Sequence, residues 1–357
     1  MKIILLFFFL FQLILFEARE KLSHRIFVDL NNDHFQNGYA YSGWYKTHLG
    51  YRVIGVDGSV LDVPAGAKYF GTLTTVGESV PKAQAVAFTD VMNDYILRAE
   101  LKPYGCGETN MAKEMFQEFF ETDNNPNNLF LFDRGFFSRD LARLLVHNSK
   151  FIFRVQKNSL KEFNRADKPD QIIIRRDKGK QNLRLRVINF TLPGGEVEKL
   201  VTNIFDESFT VNDFGKLYNL RWGIEVSFLT LKERLQIENF SSAKQELILQ
   251  DFHAAIFVYN LMTAAITEAG EPSDTSPSGK KYKYKRKVNK NLAIPQIRDL
   301  IIVSFLCDNP IKRKALFERA LASILHYTVP IRPGRSFPRT VKHKSAKFPI
   351  NKKSGLA

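Results

Sequence analysis

Residues 218–232 read YNLRWGIEVSFLTLK. Wound as an α-helix at about 100° per residue, Tyr218, Arg221, Glu225 and Lys232 fall within a sector of about 60°. Leu217, Leu220, Ile224, Phe228, Leu231 and Leu235 form an apolar seam beside them. A solvated helix scatters its charges over the outer face, whereas here a phenol, a guanidinium, a carboxylate and an ammonium stand along the edge of the buried seam. Two readings follow from the spacing. Arg221 and Glu225 form an ordinary i,i+4 surface pair worth about 0.3–0.5 kcal/mol, or the edge is a polar working surface.

Two further acids bear on that choice. Asp57 ends the run of residues 51–57, and Asp133 ends that of residues 128–133. An aspartate that opens a turn is common, but carboxylates at the ends of neighbouring strands are placed to share a cation. With Glu225 from the helix they could hold two Mg²⁺ ions roughly 3.5–4 Å apart, one activating the attacking oxygen of a phosphodiester and one steadying the leaving oxygen.

The elements that must position these groups are legible from periodicity. Residues 51–57, with 59–63 as a second short extended piece, then 84–91 and 95–101, predict three successive antiparallel strands, the last two joined by a turn at Met92, Asn93 and Asp94. Residues 107–122 predict a helix, 128–133 a strand, 138–148 a helix with Ser138 as N-cap, and 150–155 a strand. Residues 156–210 read as a β-rich insertion with arginines on alternate positions, hence one basic face. Long helices are expected over 211–235 and 252–267, and another over 294–325. The Gly-x-Gly at residues 105–107 reads as a turn, and His253 as a core residue.

The chain has 357 residues, 52 Lys+Arg against 37 Asp+Glu, and a formal net charge of +15, which points to a polyanionic partner. Hydrophobic residues at 44% and charged residues at 25% exclude a disordered chain, a collagen-like fibre and a polytopic membrane protein. Cys106 and Cys307 are too few for a disulfide framework. Seven Lys/Arg and no acid lie in residues 280–290, and eight with no acid in residues 331–357. Residues 3–16, IILLFFFLFQLILF, resemble a signal-peptide core. They are shorter than the roughly 20 residues of a membrane span, are interrupted by Gln12, and precede no small-residue cleavage site.

Taken together, these residues resemble the insertion-sequence-four family of DDE transposases. Its signature Tyr-x2-Arg-x3-Glu-x6-Lys is met without a gap by Tyr218, Arg221, Glu225 and Lys232, with Asp57 in VDGS and Asp133 in FDRGFFS as the first and second acids. Weaker similarity runs from Ala18-Arg19-Glu20-Lys21-Leu22 to the tail RPGRSFPRTVKHK.

The resemblance implies an α/β fold: an RNase H-like mixed sheet flanked by helices, with a β-rich insertion before the helix that carries the last catalytic acid. Residues 51–155 would be the first part of the catalytic domain, 156–210 the insertion, 211–269 the last part and 270–357 a basic C-terminal region. Residues 17–50 would be a remnant of the family's N-terminal region, with the apolar residues 1–16 standing where a DNA-binding segment is truncated or replaced.

By the same resemblance, Asp57, Asp133 and Glu225 would bind two Mg²⁺ ions, for which Mn²⁺ could substitute, and cut transposon ends before joining them to target DNA. Tyr218, Arg221 and Lys232 would contact phosphates. Trp222 reads either as a packed core residue or as a platform for a displaced base. The partners implied are double-stranded DNA, as transposon ends and target, and a second copy of the chain on that DNA, with no membrane; the expected location is the cytoplasm, on the nucleoid. The alternatives are an inactive or domesticated DNA-binding derivative of the same fold, or a secreted or membrane-anchored basic protein.

Overall fold

The computed structural model describes residues 18–34, 46–75, 78–156, 159–192, 194–270, 272–273, 275, 279–290, 293, 303–304 and 307–332. The apolar residues 3–16 and nearly all of the basic tail lie outside them. The chain divides into a larger unit ending at Ile256 and a smaller one beginning at Phe257.

The larger unit is organised by one sheet. Strand β1 (Arg52–Asp62) pairs antiparallel with β3 (Glu78–Asp90), which pairs antiparallel with β4 (Tyr95–Pro103) and, at its start, with the short β2 (Thr72–Thr75). On its other edge β1 lies parallel to β5 (Asn128–Phe132), and β5 parallel to β6 (Lys150–Val155). The order β4-β3-β1-β5-β6, with three antiparallel strands followed by two parallel crossovers, is the RNase H-like arrangement. Helices α2 (Glu108–Thr122) and α3 (Arg139–Val146) make the crossovers, and Ser138 caps α3 by accepting from Leu141 N. The residues read as a β-rich insertion form α4 (Lys161–Arg165) and strands β7 (Asp170–Arg175), β8 (Leu183–Thr191) and β9 (Val197–Thr202), which continue the same sheet in the order β6-β9-β8-β7.

Because successive strand residues face opposite sides, the apolar runs fill two layers. On one side Ile54, Val56, Phe130, Phe132, Phe151 and Phe153 pack against α2 and α3 in a phenylalanine-rich core, with Phe132 and Phe153 stacked at 4.2 Å. On the other side Val53, Leu129, Leu131 and Ile152 pack against Phe214, Leu217 and Tyr218 of helix α5 (Val211–Asn219). Asp57 continues the parity of Val53, and Asp133 that of Leu129 and Leu131, so both acids face this second side.

Three expectations are corrected. The two extended pieces at residues 51–57 and 59–63 are one strand, and Asp57 does not end it: β3 goes on pairing with β1 as far as Asp62, so the strand has no reason to stop. The helix expected over 211–235 is two, α5 and α6 (Trp222–Glu233). Their junction is tightened by i→i+3 hydrogen bonds from Leu220 N to Leu217 O, Arg221 N to Tyr218 O and Ile224 N to Arg221 O. The basic face of the insertion is interrupted: Arg176 and Arg184 are exposed, but two other arginines are taken up by acids. Arg186 is buried and bonded to Asp170, Ile204 O, Asp206 O and Phe209 O, while Arg175 pairs with Glu162 and Asp177.

Helix α1 (Arg25–His34) and the turn before it lie against the start of α7 (Gln245–Ala269), where Arg19 pairs with Asp251 at 2.9 Å and His24 with Glu246 at 3.0 Å. His253 is a core residue, stacked on His24, and burial pushes its pKa down to about 3. Helix α7 is long and apolar enough to cross a membrane, yet 61% of its most apolar window is buried inside the protein.

In the smaller unit, β10 (Arg286–Val288) pairs antiparallel with β11 (Thr328–Pro330), and helix α8 (Pro310–Ile324) starts at an Asn309 cap. Lysines 280, 281, 283, 285 and 287 are exposed, whereas Lys290 is half-buried beside the Tyr259 ring, and burial pushes its pKa down to about 8.

Candidate active site

The parallel pairing of β1 with β5 ends at Val56 and Phe132. Asp57 and Asp133 are the next residues on the two strands, so the two carboxylates stand at the same level where the parallel pairing ends, Asp57 within β1 and Asp133 just past β5. Helix α6 can approach that end because residue 55 is glycine: a Cβ there would stand 3.1 Å from Val91 Cγ1 and 3.2 Å from Ile224 Cβ.

The α5–α6 junction delivers the third acid. Arg221 lies in the tightened turn with only 2% of its surface exposed. Its guanidinium meets Glu225 Oε1 at 2.9 Å, Asp57 Oδ2 at 3.5 Å and Asp133 Oδ2 at 4.0 Å. The Tyr218 hydroxyl donates to Asp133 Oδ1 at 3.3 Å, and the backbone N–H groups of Gly58 and Arg134 donate to Asp57 and Asp133. Five of the residues singled out in the sequence are therefore brought together: Asp57, Asp133, Tyr218, Arg221 and Glu225. Lys232 turns aside, its ammonium donating to Val60 O at 2.8 Å and standing 3.7 Å from Glu238. Trp222 is not a core residue. It is 48% exposed at the first position of α6, because the tightened turn rotates it outward while Arg221 goes in.

Sequence reasoning missed two charged neighbours. Glu108 opens α2, accepts a hydrogen bond from the buried Gln84 at 2.9 Å and lies against Gly58. Arg154 of β6 stands 3.7 Å from Asp133 Oδ1 and also pairs with the buried Glu198 of β9, which lies 3.7 Å from Arg134. A signal for Arg154 existed: in parallel register Phe132 faces Phe153, so the arginine that follows Phe153 in KFIFRV falls beside Asp133. No comparable spacing links Glu108 to the acids. A cavity of about 750 Å³ opens next to this corner, lined by Arg134, Glu198 and Lys199 together with the apolar Val155, Pro169 and Val197.

The electrostatics follow from this crowding. Burial pushes the Asp57 carboxyl up to about 6; Glu108 and Glu225 push the same way, against the Gly58 N–H and the Arg221 guanidinium. Burial also raises Glu108, with Asp133 adding to it and the Gln84 hydrogen bond opposing it. Burial raises the Tyr218 phenol, which stays protonated and donates. The cluster is thus short of positive charge.

A family model described as the transposase DDE domain matches residues 48–261. The chain belongs to this family. The matched span includes Asp57, Asp133 and the whole Tyr218–Lys232 signature, in agreement with the insertion-sequence-four resemblance. The transposase InsG for insertion sequence element IS4 of Escherichia coli strain K12 is 21% identical over 307 residues, covering 81% of this chain and 66% of that relative. The chain therefore spans slightly under two thirds of that relative's length. A solved structure of the piggyBac transposase synaptic complex with hairpin DNA aligns at 13% identity with a TM-score of 0.44, covering 82% of this chain and 60% of that one. Transposase DDE domains generally work with divalent metal ions. The donor chemistry here fits such ions: hard carboxylate oxygens converging on a region deficient in positive charge. Among the described residues no three acid or histidine side chains stand within ligating distance of one ion; the guanidinium of Arg221 lies between the acids.

Proposed function

We propose that this chain is a DNA transposase that cuts phosphodiester bonds at transposon ends and joins the freed 3′-hydroxyls to target DNA, with Mg²⁺ as cofactor and Mn²⁺ as a possible substitute. The single observation that carries this reading is the convergence of Asp57, Asp133 and Glu225 on one buried guanidinium where the parallel pairing of β1 with β5 ends, at 3.5, 4.0 and 2.9 Å. Three acids gathered in this way repel one another, and a divalent cation is their natural counterion.

In this reading Asp57, Asp133 and Glu225 are the metal ligands. The bound ions would supply Lewis-acid activation of the scissile phosphate and a water of lowered pKa. Tyr218 orients the Asp133 carboxylate through its hydroxyl, and Arg154 restrains the same group from the next strand. Arg221 and Lys232 supply cations for phosphates near the cleaved end, where such contacts position the duplex without reading its sequence. Trp222, exposed at the start of α6, offers a face on which a displaced base can stack. The exposed lysines of residues 280–290 bind DNA nonspecifically. A second copy of the chain would complete the assembly on DNA, and the work would take place in the cytoplasm on the nucleoid, away from the membrane.

The test is strand cleavage of element-end DNA by purified protein with Mg²⁺. Asp57→Asn, Asp133→Asn and Glu225→Gln should each abolish cleavage and leave DNA binding within about threefold of wild type, because these carboxylates serve the ions and not the duplex. A Glu225→Gln protein that still cuts would overturn the assignment.

A further inference from the structure

Two buried arginines of this protein are satisfied in opposite ways. In Arg186, which holds the insertion to the strand ends, all three guanidinium nitrogens have hydrogen-bond partners: Nε and Nη2 on Asp170, Nη1 on Ile204 O and Asp206 O, and Nη2 also on Phe209 O. In Arg221, only Nη2 is hydrogen-bonded, to Glu225. Its Nε and Nη1 are buried without a hydrogen-bond partner, and its approaches to Asp57 and Asp133 are ion pairs at 3.5 and 4.0 Å. Elsewhere among the described residues a paired arginine leaves at most its Nε buried without a hydrogen-bond partner, as Arg143 does, whereas Arg221 leaves both Nε and Nη1. Arg221 spreads one charge over three carboxylates and fits only Glu225 closely.

We infer that Arg221 is the resident cation of the acid site, which neutralises Asp57, Asp133 and Glu225 in the metal-free protein and is dislodged when divalent ions bind there. The inference rests on the reading of those three acids as metal ligands. The charge balance favours it: three carboxylates meet Arg221, Glu108 adds a fourth negative charge near Asp57 and Asp133, and Arg154 at the rim is shared with the buried Glu198. Without a cation the acids repel one another. With a divalent ion among them, a guanidinium at its present distance is itself repelled and yields its partners to the ion.

The structure also provides somewhere for it to go. The Arg221 guanidinium lies 5.5 Å from the Trp222 ring and 5.8 Å from the Tyr218 ring, both within cation–π range, and Trp222 is half exposed. A side-chain rotation toward Trp222 carries the charge to the site's mouth, where an incoming phosphate would meet it. Metal loading and phosphate recruitment would then be coupled through one side chain, each favouring the other.

The experiment is Mn²⁺ binding by calorimetry to the full chain without DNA. Arg221→Met, which removes the competing charge and roughly keeps the volume, should bind Mn²⁺ about tenfold more tightly than wild type, and Arg221→Lys, which keeps the charge, should stay within about threefold of it. In EDTA the Arg221→Met protein should melt below wild type, with Mn²⁺ closing the difference. Should that variant fail to fold, phenylglyoxal labelling of the wild-type protein, mapped by mass spectrometry, reads the same event: Arg221 should react several-fold faster with saturating Mn²⁺, since the ion frees it. Unchanged or weaker Mn²⁺ affinity in Arg221→Met, or unchanged or slower labelling, overturns the inference while leaving the acids as ligands. Absence of Mn²⁺ binding by wild type and variant alike overturns the metal-site reading itself.

Discussion

The Glu108 carboxylate occupies the space that a side chain at Gly58 would fill: a Cβ on residue 58 would stand 2.2 Å from Glu108 Oε1. Gly58 follows Asp57 on β1 and points to the opposite side of the sheet, so the absent side chain lets an acid from α2 reach the rim of the site. The obstructing atom is the end of a flexible side chain. Gly58→Ala should therefore cost under about 1 kcal/mol in a denaturant titration, while displacing Glu108 from Gln84. A loss of several kcal/mol would show that Glu108 is held rigidly.

Displacing or neutralising Glu108 should also move a pH profile. Burial is the largest cause of the raised Asp57 pKa, and Glu108 adds to it. In Glu108→Gln the Asp57 carboxyl should ionise at lower pH, so the acid limb of metal-dependent cleavage shifts downward. Rates measured from pH 5 to 8 check this, and a limb that stays put or moves upward would remove Glu108 from the site's electrostatics.

Asp57 itself gives a stability prediction with a definite sign. Its carboxyl titrates near 6 in the folded chain, against an ordinary value of 3.8. The folded state therefore holds the proton more tightly than the unfolded chain, and this contribution to stability is full below the unfolded pKa and lost as pH rises through about 6. In EDTA at pH 7.5, Asp57→Asn should be more stable than wild type by an amount on the order of 2 kcal/mol, with the gain vanishing toward pH 4. Thermal melts at the two pH values decide it.

How far the site could be read from the chain depended on which neighbours periodicity controls. Apolar alternation and helical spacing placed β1, the β3–β4 hairpin, α2, β5, α3 and β6, and the parity of Val53 with Asp57 and of Leu129 with Asp133 aims both acids at Arg221. A uniform helical pitch hid the break at Leu220 and Arg221, since the i→i+3 bonds there leave the apolar seam intact while turning Trp222 outward. Pairwise choices were also invisible. Arginines 175 and 186 look like a basic strand face but find acids in β7, α4 and the following turn, and Glu108 reaches the rim only through the missing side chain of Gly58.

Close packing of α6 on the sheet yields another test. Gly55→Val would force Ile224 and Val91 apart, costing about 1–3 kcal/mol as overpacking does, and would carry Glu225 away from Asp57. Cleavage should fall more than stability does, with Mn²⁺ affinity falling alongside; unchanged metal affinity would mean that the helix position does not set the site.

The exposed lysines of residues 280–290 should act on DNA through charge alone. Neutralising Lys281, Lys283, Lys285 and Lys287 should weaken binding equally for all duplexes and flatten the dependence of log K on log salt by about 0.9 for each phosphate that the protein no longer neutralises. Lys290→Met, at a half-buried position, should leave that slope unchanged.

The most direct test of the central claim is a crystal of the full chain soaked in Mn²⁺ and measured at the manganese absorption edge. The account predicts an anomalous peak among the carboxylates of Asp57, Asp133 and Glu225, absent in Glu225→Gln crystals, with the Arg221 guanidinium withdrawn from between them. Ordered manganese elsewhere with none at these three acids would contradict it.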